Sequence, residues 1–274
     1  MNFLVLICYN RNMKQIEFIN KTIYGAVTLK DATRPDQNNM ALHVCNDEQG
    51  VLSNRKELEK ITIPLENWAL PWQKHTDRYY RVTSADLGKG AFDKHTSIMD
   101  VDALYTTEPN VLIGVFTADC VGILLVDETT PCLCVIHSGW KGTVQQITAK
   151  TVDHLIQNQL IHPKTTQAFF GPSLQFDSLE VGMEVIEQIQ KLPIDTSSFI
   201  RRLSNEKALL DNQGINAQML INAGITKENI HRSSIDTLTD IDNGFSYRRN
   251  NRLKEFPKCG EHFTYGYIKE KTSH

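Results

Sequence analysis

Residues 111–143, VLIGVFTADCVGILLVDETTPCLCVIHSGWKGT, are the stretch that decides the fold of this chain. They contain three apolar runs of strand length, at 111–116, 121–126 and 133–136, and each run ends on polar or turn-forming residues. Runs of this length that are rich in β-branched residues predict buried strands rather than helices. Because only a short connection joins the second and third runs, we predict that they pair as a hairpin.

The segments around this stretch carry both strand and helix patterns. Strands are predicted at 15–28 (as a pair), 40–44, 79–82, 102–106, 167–170, 230–235 and 264–268, and helices at 54–60, 144–160, 182–190 and 207–223. No repeat, low-complexity tract or long linker divides the chain. The sequence therefore predicts one α+β domain over residues 1–274.

Composition limits the classes of function. With 274 residues, 41% of them hydrophobic, the chain can bury a substantial core. A net charge of -3, from 29 basic and 32 acidic residues, gives no electrostatic reason to expect binding to nucleic acid or to an anionic membrane. A small ligand, including an anionic one, remains compatible with this charge.

The cysteines and the N-terminus point to the cytoplasm. The six cysteines include no CxxC pair and lack the even spacing of small secreted scaffolds, which predicts reduced thiols. Residues 1–13, MNFLVLICYNRNM, have no basic region before their apolar run and are too short to span a bilayer. We expect them to form a first strand or a non-essential leader, with Met13 as an alternative start.

Reactive side chains stand where the central strands end. Asp119 and Cys120 lie between the first two runs, and His137 ends the third, close to Gly139 and Gly142. Taken singly, each has an ordinary interpretation: a buried cysteine, a core histidine, turn glycines. Their presence in one compact module, beside glycines that allow a close approach, favours a site.

Several motifs resemble those of the laccase-domain family, also called the multicopper polyphenol oxidase or purine nucleoside phosphorylase family. The chain is similar to it in DALYT (102–106), TADC (117–120), HSGWKGT (137–143), GPSL (171–174) followed by VGMEV (181–185), and SYRR (246–249). The similarity runs from about residue 16 to residue 268, and TADC with HSGW in this order and spacing is specific. The resemblance implies a layered α/β/β/α sandwich of mixed sheets with helices outside.

The resemblance also implies a metal site of two histidines and one cysteine. Matched motif by motif, these are His75 in QKHT, Cys120 in TADC and His137 in HSGW, separated by 120 − 75 = 45 and 137 − 120 = 17 residues. One thiolate and two imidazoles leave a fourth position open, which is the pattern of a catalytic zinc, and copper tolerates the same ligands.

Three positions depart from the family pattern. Thr76 replaces the glycine that follows the first histidine, and Leu29 replaces an early arginine. Glu261 stands where the family has a late arginine, which puts an anion-binding role for that position in doubt.

The function implied by the resemblance is phosphorolysis of inosine, guanosine or adenosine, with adenosine deamination as a second activity. A zinc-bound water near purine C6 resembles the site of other nucleobase deaminases. For phosphate we predict contacts from Arg248 and from the helix start after Gly142, with Arg249 and Lys141 as further candidates, and we include Asp119 among the substrate-binding residues. The expected partners are purine nucleosides and phosphate, with the chain a monomer or a small homo-oligomer.

Three alternatives remain open. A copper-dependent polyphenol oxidase needs several copper ions, whereas the nine histidines here include no HxH pair. A zinc-stabilised, non-enzymatic binding protein would unfold when its metal is removed. A cysteine hydrolase would use Cys120 as nucleophile and His137 as base, so it competes with the metal site for the same thiolate.

Overall fold

A computed structural model describes residues 4–10, 13–127, 129–254 and 256–270 of the chain. The strands are β1 (Leu4–Asn10), β2 (Met13–Ile19), β3 (Ile23–Thr28), β4 (Trp68–Ala69), β5 (Pro71–Trp72), β6 (Tyr79–Arg81), β7 (Ile98–Met99), β8 (Ala103–Thr106), β9 (Leu112–Thr117), β10 (Val121–Asp127), β11 (Cys132–Ser138), β12 (Gln167–Phe170), β13 (Glu180–Gly182), β14 (Ile200–Arg202), β15 (Lys207–Leu210), β16 (Ile230–His231) and β17 (His262–Ile268). The α-helices are α1 (Glu48–Glu59), α2 (Trp140–Val144), α3 (Ile147–Gln157), α4 (Met183–Ile189), α5 (Asn212–Asn222) and α6 (Tyr247–Leu253).

Two six-stranded mixed sheets form the centre of the molecule. The first has the order β1-β2-β3-β17-β9-β4 and the second β16-β12-β10-β11-β8-β6. The predicted hairpin is confirmed, because β10 and β11 pair antiparallel with Gly122 opposite His137. Strand β9, in contrast, belongs to the first sheet, so residues 117–120 carry the chain from one sheet to the other.

The two sheets pack face to face, and helices cover their outer faces. Alternate residues of β10 face opposite sides: Leu124 and Val126 join the core between the sheets, whereas Ile123 and Leu125 join the core under α3 and α5. A third core places the outer face of the first sheet against Leu58 of α1. Burial on both faces explains why the central strands read as continuous apolar runs. The predicted layered α+β class is confirmed, whereas the extent of one domain over 1–274 stays a prediction.

The helix predicted at 144–160 begins earlier and is interrupted. Helix α2 starts at Trp140 with Gly139 as its N-terminal cap residue, and Gly142 lies inside it. Gln146 has a left-handed backbone, with φ 62°, which separates α2 from α3. The helix start predicted after Gly142 is therefore wrong, because α2 already begins at Trp140, and the phosphate contact predicted from that start loses its basis.

Other differences concern shorter segments. Residues 40–44 form turns rather than a strand, and Asn54 lies inside α1 rather than at its cap. The predicted helix at 207–223 is a strand, β15, followed by α5, whose start Asp211 caps by accepting a hydrogen bond from Gly214 N–H. Of residues 1–13, residues 4–10 form β1, which pairs with β2, and residues 1–3 and 11–12 lie outside the described residues. Within the described ranges, no helix is long and apolar enough to span a membrane.

His262 connects β17 to its surroundings as a neutral imidazole. Its Nδ1–H donates to the Thr28 carbonyl (2.8 Å), and its Nε2 accepts from Phe245 N–H (2.9 Å). The side chain is fully buried. Burial lowers the pKa of His262 to about 4, even though the Thr28 carbonyl opposes the shift.

This histidine should make stability depend on pH. The folded pKa lies below the unfolded value of about 6.5, so the unfolded chain binds the extra proton first as the pH falls. The contribution of His262 to the free energy of unfolding should be complete above pH ~6.5. It should decline as the pH falls towards ~4, by up to about 3 kcal/mol. Urea unfolding at several pH values measures this. His262→Gln, which cannot titrate, should show a flatter slope in that window, and equal slopes would contradict the assignment.

Candidate functional site

The hairpin of β10 and β11 places Cys120 beside the end of β11. Val121 pairs with Ser138, so Cys120, one residue earlier, lies next to Gly139. A Cβ atom added to Gly139 would lie 2.8 Å from Cys120 Sγ and 3.0 Å from His75 Cδ2. Glycine is therefore the residue that lets the cysteine and the first histidine approach the end of this strand.

His75 reaches the same place from the loop between β5 and β6. Its backbone is left-handed, with φ 57°, and its carbonyl accepts a hydrogen bond from Gln145 Nε2 (2.8 Å). The neighbouring Gln73 side chain exchanges two hydrogen bonds with the Phe116 backbone, at 2.7 and 2.8 Å. These contacts fix the loop against the end of β9.

The three residues matched as metal ligands converge. Their ligand atoms all lie within 4.8 Å of one another, and Cys120 Sγ is 3.7 Å from His75 Nε2. The rings of His75 and His137 meet edge to face, with centroids 4.7 Å apart. His137 is buried and His75 exposed, so the cluster lies at the surface end of the two strands.

Asp102, directly before β8, holds two of these residues. Its carboxylate accepts a hydrogen bond from His137 Nδ1–H (2.7 Å) and another from His75 N–H (3.0 Å). Since Nδ1 of His137 is engaged, Nε2 is the nitrogen left to face the cluster. The donor set and the space beside Gly139 thus fit a metal ion bound by two imidazole nitrogens and one thiolate.

The cluster is electrostatically coupled. Burial alone would raise the pKa of Asp102, but the hydrogen bond and charge of His137 outweigh it and hold that pKa well below its usual range. Burial would lower the pKa of His137, yet Asp102 and Cys120 raise it to about 10. Burial also opposes ionisation of Cys120, but His137 and His75 bring its pKa down to about 7. These interactions favour the thiolate, the form that binds metals or acts as a nucleophile.

A pocket of about 600 Å³ opens beside the cluster. Its polar and charged lining comprises His75, Asp119, Cys120, Lys141, Glu180, Lys207, Asn212, Arg248, Asn251 and Arg252. Its more apolar lining comprises Ala118, Gly139, Trp140, Leu174, Leu179 and Tyr247. A pocket of this volume, with apolar walls and a few convergent polar groups, is of the size that holds a small-molecule ligand.

Asp119 and Arg248 lie together in this pocket wall. Asp119 accepts from Thr237 Oγ1–H (2.7 Å) and from the backbone N–H of Arg248 (2.7 Å), and burial raises its pKa despite these bonds. The Arg248 guanidinium donates through Nη1 to the Ser178 carbonyl (3.2 Å). Asp119 thereby joins the loop between the two sheets to the start of α6.

The remaining predicted residues divide between the pocket and the fold. Lys141 lines the pocket, with Nζ 5.7 Å from the centre of the Trp140 ring. Arg249, in contrast, is buried and donates to the carbonyls of Thr237 (2.6 Å) and Gly244 (2.7 Å), so it supports the loop before α6.

The three positions that depart from the family pattern all have contacts within the fold. Leu29 is buried, Glu261 pairs with His43 (3.1 Å), and Thr76 donates a hydrogen bond to Asp102.

Asp102 is the site residue whose role the sequence did not reveal. Its motif, DALYT, is predicted as a strand and is one of the motifs shared with the family, but neither observation assigns Asp102 a role, although an acidic residue at the start of a buried strand is an unusual signal. Its partners lie 26 to 35 residues away in sequence, so no local pattern identifies them.

Comparison with known proteins gives a consistent set of relatives. The family model described as multi-copper polyphenol oxidoreductase laccase matches residues 27–265. Purine nucleoside phosphorylase YlmD of Bacillus subtilis is 29% identical over 236 residues, covering 84% of this chain and 85% of the relative. A purine nucleoside phosphorylase of Staphylococcus saprophyticus is 32% identical over 228 residues, covering 82% and 85%.

Solved structures resemble the whole fold. YlmD from Geobacillus stearothermophilus has a TM-score of 0.88 at 26% identity, covering 97% of this chain and 100% of that one. The hypothetical protein YfiH from Bacillus licheniformis has a TM-score of 0.86 at 29% identity, covering 93% and 96%.

Proposed function

This chain belongs to the multi-copper polyphenol oxidoreductase laccase family, and from that premise we propose that it is a metal-dependent purine nucleoside phosphorylase. Its substrates would be phosphate and inosine, guanosine or adenosine, with adenosine deamination as a second reaction. Two relatives carry the name purine nucleoside phosphorylase. The observation that carries the proposal is a pocket of about 600 Å³ that is lined both by His75 and Cys120 of the three-residue cluster and by cationic side chains, among them Lys141 and Arg248.

His75, Cys120 and His137 would hold the metal, which we propose to be zinc, with copper as the alternative that these ligands also accept. A zinc ion held there would act as a Lewis acid and would lower the pKa of a water molecule bound to it. Three protein ligands would leave a fourth position free, which is the pattern of a catalytic rather than a structural zinc.

The chain's own residues would bind and orient the substrates. Arg248 can present a planar fork of N–H donors to phosphate, and its bond to the Ser178 carbonyl holds it at the pocket wall. Lys141 adds a second positive charge on the same pocket. Asp119 accepts a hydrogen bond from the backbone N–H of Arg248 at the start of α6, and so fixes the backbone position from which the Arg248 side chain extends. Trp140 and Leu174 offer apolar surface for a purine ring.

Product analysis tests the proposed reaction. Purified protein is incubated with inosine, with and without phosphate, and hypoxanthine and ribose 1-phosphate are the expected products in the presence of phosphate only. With adenosine, inosine and ammonia would report deamination, whereas adenine would report phosphorolysis. Oxygen uptake with phenols and no nucleoside cleavage would instead identify a copper-dependent polyphenol oxidase. Metal binding without any turnover would identify a zinc-stabilised binding protein.

Arg248→Ala should weaken phosphate binding selectively. If the guanidinium binds phosphate as a fork, the phosphate KM should rise at least about tenfold, equivalent to about 1.4 kcal/mol, while the nucleoside KM changes far less. Steady-state kinetics with each substrate varied in turn measures both.

Two variants serve as controls for Arg248. Arg252→Ala removes the same charge from the same pocket lining, at an exposed position in the last turn of α6, and should have a smaller effect. Arg248→Lys keeps the charge without the fork and should give an intermediate phosphate KM. Equal increases in both KM values for Arg248→Ala would remove Arg248 from this role.

A further inference from the structure

The carboxylate of Asp102 is fully buried and is surrounded by donors from the loop that carries His75. Oδ1 accepts from His75 N–H (3.0 Å), and Oδ2 accepts from Thr76 N–H (2.7 Å) and Lys74 N–H (3.2 Å). Three successive backbone amides therefore point at one carboxylate. This arrangement stabilises the left-handed backbone of His75, which a non-glycine residue seldom adopts.

The same carboxylate fixes His137 from the other side. Oδ1 accepts from His137 Nδ1–H at 2.7 Å, and the backbone carbonyl of Asp102 accepts from His137 N–H, also at 2.7 Å. A hydrogen bond at Nδ1 fixes the ring orientation and leaves Nε2 to face Cys120 and His75, where it would bind a metal in its unprotonated form.

Thr76, which replaces the family's glycine, adds a donor that glycine lacks. Its hydroxyl donates to Asp102 Oδ2 at 2.7 Å, on the oxygen opposite to the one that meets His137. The same hydroxyl oxygen accepts from Arg78 N–H (3.2 Å), which closes the loop after His75. The replacement therefore strengthens the contacts of Asp102 in this chain.

We infer that Asp102 is a positioning residue that sets the separation and orientation of both histidines, and that the Thr76 hydroxyl is part of the same clamp. The inference rests on the metal site of the proposed function. One buried carboxylate, that of Asp102, would therefore position both His75 and His137, which are far apart in sequence. Asp102 acts through these histidines and does not itself line the pocket.

Asp102→Asn tests the clamp, because an amide presents a donor where the carboxylate accepts. Zinc affinity, measured by competition with a chelator, should fall about 10- to 100-fold, the usual range for losing such a partner. In proton NMR, the hydrogen-bonded His137 Nδ1–H should give a slowly exchanging downfield signal in the parent, and the variant should lose it. This second measurement does not require bound metal.

Asp127→Asn is the matched control. Asp127 is also fully buried and also accepts from backbone and threonine donors, among them Thr129 N–H (2.8 Å) and Thr129 Oγ1–H (2.7 Å). It ends β10 at the opposite end from Cys120. Its replacement should lower the melting temperature without weakening zinc binding beyond about twofold, well below the loss expected when a partner of a metal ligand is removed. Equal weakening in both variants would overturn the inference.

A pair of substitutions at Thr76 decides the question if Asp102→Asn does not fold. Thr76→Val removes the hydroxyl and leaves the carboxylate in place, so zinc affinity should fall by about three- to tenfold, less than for a lost carboxylate. Thr76→Ser keeps the hydroxyl, so its zinc affinity should equal that of the parent. Identical affinities for these two variants would overturn the role of Thr76 in the clamp. If the parent protein binds no zinc, the proposed function fails, while the Nδ1–H signal still tests whether Asp102 positions His137.

Discussion

Cys120→Ala should lose bound metal and phosphate-dependent nucleoside cleavage together, with kcat/KM falling at least about 1000-fold. The thiolate is the one anionic member of the three-residue cluster, and two imidazoles alone bind zinc far more weakly. The melting temperature should stay within a few degrees of the parent's, because an open three-ligand site serves chemistry more than folding. Metal content by elemental analysis, phosphorolysis rate and thermal unfolding are measured on the same preparation.

Cys134→Ala is the control for this substitution. Cys134 lies in β11 with no exposed surface, in the core under α3 and α5. Its truncation should cost about 1 kcal/mol of stability by leaving a small cavity, and it should leave metal content and activity unchanged.

Three outcomes for Cys120→Ala would contradict the proposal. Retained phosphorolysis without metal would make the metal incidental. Loss of the fold along with the metal would identify a structural zinc. A thiol-dependent hydrolysis that persists in the metal-depleted parent would favour Cys120 as a nucleophile oriented with His137 and Asp102.

Gly139→Ala should have the second largest effect. The added Cβ would lie 2.8 Å from Cys120 Sγ, so that atom must shift, and 3.3 Å from His75 Nε2, so the imidazole must give way slightly. Displacing groups of an active site by about 1 Å can cost about 100-fold in rate, and for these smaller shifts we expect kcat/KM to fall by about 10- to 100-fold together with weaker metal binding. Since the backbone of Gly139 has φ -72°, alanine adds no backbone strain, and the effect should come from the ligands alone.

Gly142→Ala, three residues later in the same motif, separates ligand displacement from a general intolerance of this segment. Gly142 lies inside α2, and a Cβ there would meet Ile147 Cγ2 at 3.3 Å and no atom of the cluster closer than the His137 carbonyl at 3.7 Å. Activity should remain within about threefold of the parent, because a helical alanine costs little once Ile147 adjusts. If Gly142→Ala and Gly139→Ala lose activity equally, the close approach at Gly139 is not the cause.

Local patterns and tertiary contacts contributed different parts of the fold. Strands β9, β10 and β11 were predictable because each is buried on both faces and therefore reads as an uninterrupted apolar run. The start of β15 was misassigned to a helix, because a run as short as KALL fits either element, and its pairing with β13 and β14 makes it a strand. The break at Gln146 likewise has no sequence signal, since the left-handed backbone falls on a glutamine rather than on the glycine that usually adopts it.

The same distinction between local patterns and tertiary contacts applies to the candidate site. Sequence by itself determined that Cys120 and His137 lie at adjoining ends of two strands, because a short connection fixes the register of the hairpin that carries them. The resemblance added His75. Only the tertiary structure decided what holds these residues in place: Asp102 meets partners up to 35 residues away, and Asp119 meets Arg248 across 129 residues. Those contacts require two sheets, a loop and a helix to be packed together, and a hydrogen bond between distant segments leaves no periodic trace in the chain.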